Sequence, residues 1–154
     1  MNLPRNTRQD DQDRACGVEV VYISALRFGK KVRCRWWYGP NHTDNKFVQL
    51  PGKNQTTNCG LVYVLKEVLK THRKKYEAQY ACDRPPILVV KTNATYISDA
   101  LDTYIFSWRN NNWCNKKCKK IANYVFWMGV DNEFSKLYNL GIDIKIEHGK
   151  FHSF

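Results

Sequence analysis

Apolar and polar residues alternate along the first third of the chain, a period-two pattern that is typical of half-buried β-strands. The runs that show it are Val18–Ile23, Val32–Trp37 and Lys46–Leu50. Gly or Pro residues follow each run, and the connections between the runs are short. We therefore expect three consecutive strands that pair as an antiparallel meander.

The period changes to that of a helix from about Thr57, where apolar side chains recur every three or four residues. This pattern predicts an amphipathic helix from Thr57 to about Tyr80. Ile87–Val90 is the most apolar run and predicts a central strand, which its long crossover makes parallel to its neighbour. The pattern ends with two helices and a last alternating strand, over Thr95–Phe106, Ile121–Tyr138 and Ile142–Ile146.

The predicted order is β-β-β-α-β-α-α-β, which indicates an α/β fold. Its mixed five-stranded sheet would combine the antiparallel meander with parallel strands and would be flanked by helices. The chain has neither an internal repeat nor a linker, so we expect a single domain over residues 17–154. Residues 1–16 are polar and mixed in charge, which is typical of a disordered tail.

The formal charge of +11 is the first indication of function, because a surplus of Lys and Arg favours polyanions through counterion release. The charge is concentrated in particular stretches. Five basic residues and no acidic residue occur from Arg27 to Arg35, and no acidic residue occurs between Asp102 and Asp131. Clustering of this kind indicates a basic face, whereas a generic soluble basic protein would spread its charge.

The first residues contain no apolar core, so no signal peptide is predicted, and no run approaches the roughly 18 apolar residues of a membrane span. We therefore expect an intracellular protein, nuclear or cytoplasmic, that does not contact membranes. Thiols stay reduced in those compartments, so the six cysteines are expected to be mostly free. Glycosylation sequons begin at Asn41, Asn54 and Asn93, and we interpret them as chance.

Several short motifs along the chain point to one family. They are Val21–Ala25, Trp37–His42, Leu50–Gly52, Lys91–Ala94, Trp108–Trp113, Ile121–Asn123 and His152-Ser153. In order and spacing these motifs resemble those of type 1 ribonuclease H, the enzyme that cuts RNA in RNA–DNA hybrids. The resemblance covers about Val18 to Ser153 and implies an RNase H-like fold.

The same resemblance implies a degenerate active site. The family holds two Mg²⁺ ions with four carboxylates, and the first three of those positions fall on Ser24, Leu61 and Asn93. The fourth belongs to a last helix that has no counterpart in this sequence. We therefore expect no metal, no cofactor and no catalysis. An active ribonuclease with a rebuilt site is the less favoured alternative, because the pattern does not bring its remaining candidate acids together. Those acids are Asp99, Asp143 and Glu147.

The resemblance also implies that residues for binding nucleic acid remain. A pocket for a DNA phosphate would contain Thr56, Asn123 and either Lys53 or Asn54. Aromatic residues would line a channel for the DNA strand, and lysines would form a basic protrusion. The candidates are Tyr96, Tyr104, Trp108 and Trp113 for the aromatic residues, Lys116, Lys117, Lys119 and Lys120 for the protrusion, and Thr57 and Asn58 as weaker contacts to RNA.

Each candidate also has a plainer interpretation. Tyr96 and Tyr104 lie eight residues apart on a predicted helix, so packing in the core is an equally good explanation for both. A solvated loop is the plainer interpretation of the protrusion lysines, but the exposed aromatic residues expected beside them favour a polyanion-binding face. Trp108 and Trp113 flank three asparagines, a polar setting that favours a surface position for both tryptophans.

These observations favour a pseudonuclease, a non-catalytic domain that binds nucleic acid, with an RNA–DNA hybrid or an RNA duplex as its preferred ligand. The alternative is a scaffold that docks a protein partner, or a second copy of the chain, on apolar surface left by the missing last helix. A zinc site is not favoured, because Cys114 and Cys118 are expected in the protrusion and His148 and His152 near the former active site.

Overall fold

The meander predicted from the first three alternating runs is present and supplies three strands of a five-stranded sheet. The computed structural model describes residues 17–78 and 85–150. In these residues the strands are β1 (Val18–Phe28), β2 (Lys31–Trp37), β3 (Lys46–Gln49), β4 (Ile87–Thr92) and β5 (Ile144–His148). Their order is β3-β2-β1-β4-β5, antiparallel from β3 to β1 and parallel from β1 to β5. The predicted mixed five-stranded sheet is confirmed.

The helical segments of the described residues are α1 (Thr57–Glu77), α2 (Thr95–Asp99), a π-helical turn (Ala100–Tyr104), α3 (Ile105–Asn110) and α4 (Tyr124–Asn139). The helix predicted to end at Phe106 therefore continues to Asn110. Helix α4 begins at Tyr124 and not at Ile121, because Asn123 has a left-handed backbone with φ of 63° that a right-handed helix does not contain. None of these helices is long and apolar enough to cross a membrane.

Some predictions fall outside the described residues. They include the disordered tail over residues 1–16, the last residues of the first helix up to Tyr80, and the motif His152-Ser153. The division of the chain into a tail and one domain over residues 17–154 therefore stays a prediction.

The pleat of the sheet sends every second strand residue toward the helices. Val21 on β1 and Val90 on β4 are completely buried there, against Leu65 and Leu69 of α1. Helix α4 packs beside α1 and contributes Trp127, which is also completely buried. The core therefore lies on one side of the sheet, beneath the pair of long helices.

Helix α1 crosses the sheet at Gly60, where there is no room for a side chain. A Cβ atom at this position would lie 2.9 Å from the Cβ of Ala25 and 3.0 Å from Cγ1 of Val32. Because interiors are close-packed, a larger residue would push α1 away from β1 and β2. This contact sets how deeply the first turn of α1, which begins at Thr57, sits against the sheet.

An ion pair joins α1 to α4. Arg73 Nε donates to Glu133 Oε2 at 2.5 Å and Arg73 Nη2 donates to Glu133 Oε1 at 3.1 Å, so the pair is bidentate. Glu133 is 6% exposed, and its hydrogen bond is the main reason why the pKa of Arg73 is raised. Breaking a buried pair by removing one partner typically costs about 3–5 kcal/mol. The pair therefore fixes α4, and Asn123 at its start, relative to α1.

A second polar cluster, around Glu19, ties the start of β1 to α1. Glu19 Oε2 lies 3.5 Å from His72 Nδ1 and accepts from Tyr76 Oη at 3.3 Å, and Glu19 Oε1 lies 3.5 Å from Lys75 Nζ. His72 is 2% exposed, and its Nε2 lies 3.2 Å from the carbonyl oxygen of Pro86. The hydrogen bond with His72 is the largest of the effects that lower the pKa of Glu19, and together they outweigh partial burial, which raises it.

This cluster predicts a pH-dependent loss of stability in Glu19→Gln. The pKa of Glu19 is lower in the folded protein than the value of 4.5 expected for the unfolded chain. Ionised Glu19 therefore favours folding above that pH, and its contribution is lost as the pH falls through the folded pKa. We expect the variant to be less stable than the wild type at neutral pH and the difference to shrink in acid, measured by urea unfolding across a pH series.

The control is Asp102→Asn, which removes an exposed carboxyl from the π-helical turn. It should change stability little at any pH. A difference between Glu19→Gln and the wild type that stays constant from neutral to acid pH would contradict the assignment.

Candidate nucleic-acid interface

Three segments that are distant in the sequence meet at one hydrogen-bonded cluster. Asn54, in the loop before α1, donates from Nδ2 to Asn123 Oδ1 at 3.0 Å. Asn123, just before α4, donates from its own Nδ2 to Tyr96 Oη at 3.2 Å. Each amide uses one N–H in these bonds and has a second N–H to offer. The structure thus brings together three residues that were predicted separately as parts of a pocket and a channel.

The cluster continues inward through Trp127, a residue that the sequence analysis missed. Its Nε1 donates to Tyr96 Oη at 2.9 Å, so this hydroxyl oxygen accepts two hydrogen bonds. Trp127 is completely buried, and burying its N–H without an acceptor would be unfavourable. Its position four residues after Asn123 is the signal that was available, because residues at that spacing share one face of a helix.

A row of aromatic rings extends from Trp127 to the surface. The ring centroids of Trp127 and Trp108 are 5.8 Å apart, and Trp108 stacks on Tyr104 at 5.7 Å with an interplanar angle of 17°. Tyr96 meets Trp127 edge to face at 5.8 Å. Exposure rises along the row, from buried Trp127 through half-buried Trp108 to Tyr104, which is 51% exposed. Tyr104 therefore offers a ring at the surface, and Tyr96 has both a packing role and a polar one.

The first turn of α1 lies beside this cluster. Thr56 caps the helix, because its Oγ1 accepts from the backbone N–H of Cys59 at 3.1 Å, and its hydroxyl hydrogen can still be donated. Thr57 and Asn58 are exposed, and the first turn contains no acidic residue. Backbone N–H groups at such a helix start have no partner within the helix, and the helix dipole makes this end positive. Lys53 is exposed, and Asn54 rather than Lys53 contacts Asn123.

The predicted protrusion is an ordered loop between α3 and α4. Asn115 Oδ1 accepts from the backbone N–H groups of Lys117 at 2.9 Å and Lys119 at 3.1 Å. Lys120 Nζ donates to the carbonyl of Asn112 at 2.8 Å. All of the predicted lysines are exposed: Lys116, Lys117, Lys119 and Lys120. The loop thus presents its positive charge on a fixed backbone.

The surface position predicted for Trp113 is wrong. Trp113 is only 9% exposed and belongs to the core. Its N–H donates to the carbonyl of Trp108 at 2.7 Å, and its carbonyl accepts from Ile121 at 2.9 Å, so the protrusion folds back over it. The flanking asparagines are its neighbours in sequence, whereas Ile121 and the core are its neighbours in space. Trp113 anchors the loop and has little surface to offer a ligand.

The residues at the family's metal positions do not suit divalent ions. Ser24 is half-buried on β1, Leu61 is 6% exposed within the core, and Asn93 is exposed after β4. A hydroxyl, an aliphatic side chain and an amide supply no anionic oxygen, which Mg²⁺ sites normally require.

One group of potential metal ligands does occur in residues 17–78 and 85–150: Glu19, His42 and Asp44. Its member Glu19 lies five residues from Ser24 along β1, roughly 16 Å away at about 3.3 Å per residue. Lys75 already lies 3.5 Å from Glu19 and 4.0 Å from Asp44. The cluster is therefore an ion-pair site that is separate from Ser24.

Comparison with known proteins yields partial sequence matches. No protein-family model matches the sequence. The chain is 28% identical over 64 residues to ribonuclease H of Actinobacillus pleuropneumoniae, a match that covers 42% of each protein. It is 31% identical over 55 residues to ribonuclease H of Hyphomonas neptunium, covering 36% of this chain and 37% of that one. The matched stretch thus spans about two fifths of the length of these curated relatives.

Solved structures match almost the whole chain. The solution structure of the PFV RNase H domain superposes with a TM-score of 0.57 at 18% identity, covering 87% of this chain and 79% of that one. The foamy viral protease-reverse transcriptase, solved in complex with an RNA/DNA hybrid, matches with a TM-score of 0.56 at 15% identity. That match covers 97% of this chain and 18% of the viral one. The mixed sheet and its helices define an α/β domain with an RNase H-like fold.

The hydrogen-bonded cluster predicts that Tyr96→Phe destabilises the protein. The substitution keeps the ring but removes the oxygen that accepts from Trp127 and Asn123, which leaves a buried indole N–H without its partner. We expect a loss of about 1–3 kcal/mol in the free energy of unfolding, measured by urea unfolding. The matched control is Tyr104→Phe, because the Tyr104 hydroxyl makes no hydrogen bond within the described residues. Equal stability of the two variants would contradict a structural role for the Tyr96 oxygen.

Proposed function

We propose that this RNase H-like domain is non-catalytic and binds nucleic acid, with an RNA–DNA hybrid or an RNA duplex as its preferred ligand. The observation that carries the proposal is the series of hydrogen bonds that connects Asn54, Asn123, Tyr96 and Trp127. These bonds hold surface donors in place by linking them to a buried ring. A pocket that is preorganised in this way binds a ligand with little entropic cost for ordering its side chains.

The donors around the cluster suit a phosphate group. Asn54 and Asn123 each have an amide N–H to spare, and Thr56 has a hydroxyl hydrogen. The start of α1 adds backbone N–H groups and a positive dipole, an arrangement that binds phosphates in many proteins. These groups contact the sugar-phosphate backbone and not the bases, so we expect binding without sequence preference.

Tyr104 and Trp108 would contact the sugar and base surface next to the phosphate. Their stacked rings lead from the protein core to the exposed face of Tyr104. Flat rings stack on nucleotides of any sequence. The lysines of the protrusion would then meet phosphates further along the strand, on a loop whose backbone is held by Asn115. The foamy viral enzyme with the same fold was solved with an RNA/DNA hybrid bound, which supports a duplex ligand for this surface.

The non-catalytic part of the proposal rests on the donor chemistry of Ser24, Leu61 and Asn93. Burying Leu61 favours folding by roughly 1.5–3 kcal/mol relative to leaving it exposed, so this position contributes to packing. The relatives named ribonuclease H make an active nuclease the alternative to test.

A protein-interaction scaffold is the second candidate. Apolar residues at both ends of β1 favour it, because Val18 is 61%, Leu26 51% and Phe28 56% exposed. These residues would dock a protein partner or a second copy of the chain. A stoichiometric partner that stays bound after nuclease treatment would favour the scaffold over the nucleic-acid-binding domain.

The binding proposal predicts a specific change in salt dependence. Lys116→Ala combined with Lys117→Ala should weaken binding to an RNA–DNA hybrid and lower the slope of log affinity against log salt by about 1.8, at about 0.9 per phosphate contact. Trp108→Ala should weaken binding by about 1–3 kcal/mol because a stacking ring is lost. Fluorescence anisotropy with a hybrid, an RNA duplex and a DNA duplex would measure both effects.

The matched control removes the same charge elsewhere, with Lys74→Ala on α1 and Lys136→Ala on α4, both exposed. It should leave the slope unchanged. The proposal fails if wild-type protein does not bind any of these duplexes at low salt, or if the control and the protrusion variant behave alike.

We expect no cleavage of an RNA–DNA hybrid in the presence of Mg²⁺ or Mn²⁺, because no anionic oxygen is present at the three aligned metal positions. A labelled hybrid incubated with micromolar protein and resolved on a denaturing gel would test this. Product that forms with metal and disappears with a chelator, at equal strength in independent preparations, would establish the active nuclease instead.

A further inference from the structure

Strand β5 is the last strand of the sheet, and its edge away from β4 has no strand beside it in residues 17–78 and 85–150. Helix α2 contacts β5, but the N–H and C=O groups of a helix are mostly bonded within the helix. In the described residues, no hydrogen bond joins the backbone of Ile144–His148 to a segment other than β4. An edge of this kind is a template for pairing with another strand.

The hydrogen bonds to β4 show which groups of β5 point to the open edge. Leu88 N–H donates to the carbonyl of Asp143 at 3.1 Å, and Gly149 N–H donates to the carbonyl of Thr92 at 3.1 Å. Bonds in a parallel ladder are evenly spaced, so every second residue between Asp143 and Gly149 bonds to β4 in the same way. The intervening residues direct both N–H and C=O to the open edge, and they are Ile144, Ile146 and His148.

The side chains of β5 alternate between the two sides of the sheet. Ile144 and Ile146 are half-buried and pack against the core on the helical side, so Lys145 and Glu147 project to the other side. The side chain of Lys145 is 63% exposed, and its Nζ lies 3.2 Å from Glu147 Oε1. The edge therefore carries one positive and one negative side chain, two residues apart, on the same side of the sheet.

We propose that β5 pairs with β5 of a second copy of this chain, antiparallel and with a two-fold axis at Ile146. In this register Ile146 lies opposite Ile146 of the partner subunit, and Ile144 lies opposite His148 of the partner subunit. These are the residues whose N–H and C=O groups point to the open edge, so each opposing pair exchanges two hydrogen bonds, about six in all. Two five-stranded sheets would join into one continuous sheet.

Charge favours this register over its neighbours. Lys145 of each copy lies opposite Glu147 of the other, in non-hydrogen-bonded pairs, whose side chains approach each other most closely. A two-fold axis at Lys145 would instead place two lysines opposite each other, and an axis at Glu147 would do the same with two carboxylates. The carboxylate of Glu147 has two oxygens, so it can accept from Lys145 of both chains. A second copy therefore fits this edge better than a strand of arbitrary sequence.

An apolar groove beside the start of β5 adds a hydrophobic part to the pairing. The groove has a volume of about 460 Å³, and its apolar lining is Phe134, Leu137, Tyr138, Ile142 and Ile144. Tyr138 is 84% exposed. Opposite residues project from the same side of a sheet, so His148 of the partner subunit would lie beside Ile144 at this groove. Two-fold symmetry would cover both grooves alike, and burying apolar surface favours association.

Charge exchange at the edge tests the register. Lys145→Glu places two carboxylates opposite each other across the axis, and Glu147→Lys does the same with two lysines. Each variant should weaken dimerisation by about fivefold or more, because two symmetric pairs change from opposite to like charge. An equal mixture of the two variants should form a heterodimer, and it carries the same total charge as two wild-type chains. The double variant Lys145→Glu/Glu147→Lys should dimerise like the wild type.

Sedimentation velocity of the nuclease-treated full chain would measure the dimer at about 0.15 M salt, where a Debye length of about 8 Å limits repulsion between copies of charge +11. The matched control is Lys136→Glu, which makes the same charge change at an exposed position of α4 and should leave the dimer unchanged. Circular dichroism would check that every variant is folded.

Hydrogen exchange with mass spectrometry would locate the contact. Protection that increases with protein concentration should fall on residues 144–148. The inference is overturned if the wild type is monomeric at submillimolar concentration, if the mixed variants do not restore the dimer, or if Lys136→Glu weakens it equally. Protection at the ends of β1 in place of β5 would also overturn it. These measurements contain no nucleic acid, so failure of the pairing and failure of the proposed function are seen separately.

Discussion

The close contact of α1 with the sheet at Gly60 is the constraint on which the rest of the arrangement depends. It lets the helix backbone lie against β1 and β2, which positions the capped start of α1 at the sheet edge. From the same helix, Arg73 reaches Glu133 and fixes α4. The position of Asn123 at the start of α4 follows from this, so the pocket lies at the starts of two long helices, with Asn54 supplied by the loop before α1. Sites that are held by packed elements are more precise than sites on loops.

The side chains of the pocket serve the fold and the surface at the same time. Tyr96 Oη satisfies the buried N–H of Trp127 and orients Asn123, and Thr56 both caps α1 and presents a hydroxyl. Leu61 differs from these residues, since it contributes to the core and offers no polar group to a ligand. The domain thus combines a polar cluster that keeps spare donors with an aliphatic core residue at one position where the resembled family has a carboxylate. An aliphatic side chain at this buried position favours stability, because a buried carboxylate would need compensating partners.

The order of strands and helices could be predicted because hydrophobic periodicity reports directly which residues face the core. Helix α4 was predicted to begin too early, since periodicity does not reveal the left-handed backbone of Asn123. The burial of Trp113 was missed for a related reason, because a polar sequence context does not show which segment folds back over a residue. The proximity of Asn54 and Asn123 was predicted from the family resemblance. The role of Trp127 could have been predicted from its helical spacing relative to Asn123 alone. The hydrophobic pattern alone did not predict which residues far apart in the sequence contact each other.

The π-helical turn at Ala100–Tyr104 decides which rings become neighbours. In a regular α-helix, residues twelve apart differ by about 120° around the axis, so Tyr96 and Trp108 would not both meet Trp127. The wider turn changes the phase between α2 and α3, and both rings reach the same indole. The π-helical turn therefore sets the angular offset between the side chains of α2 and those of α3. Shortening that turn by one residue would rotate Trp108 and Tyr104 as a unit, turning the aromatic row away from the amide pocket while leaving each half intact.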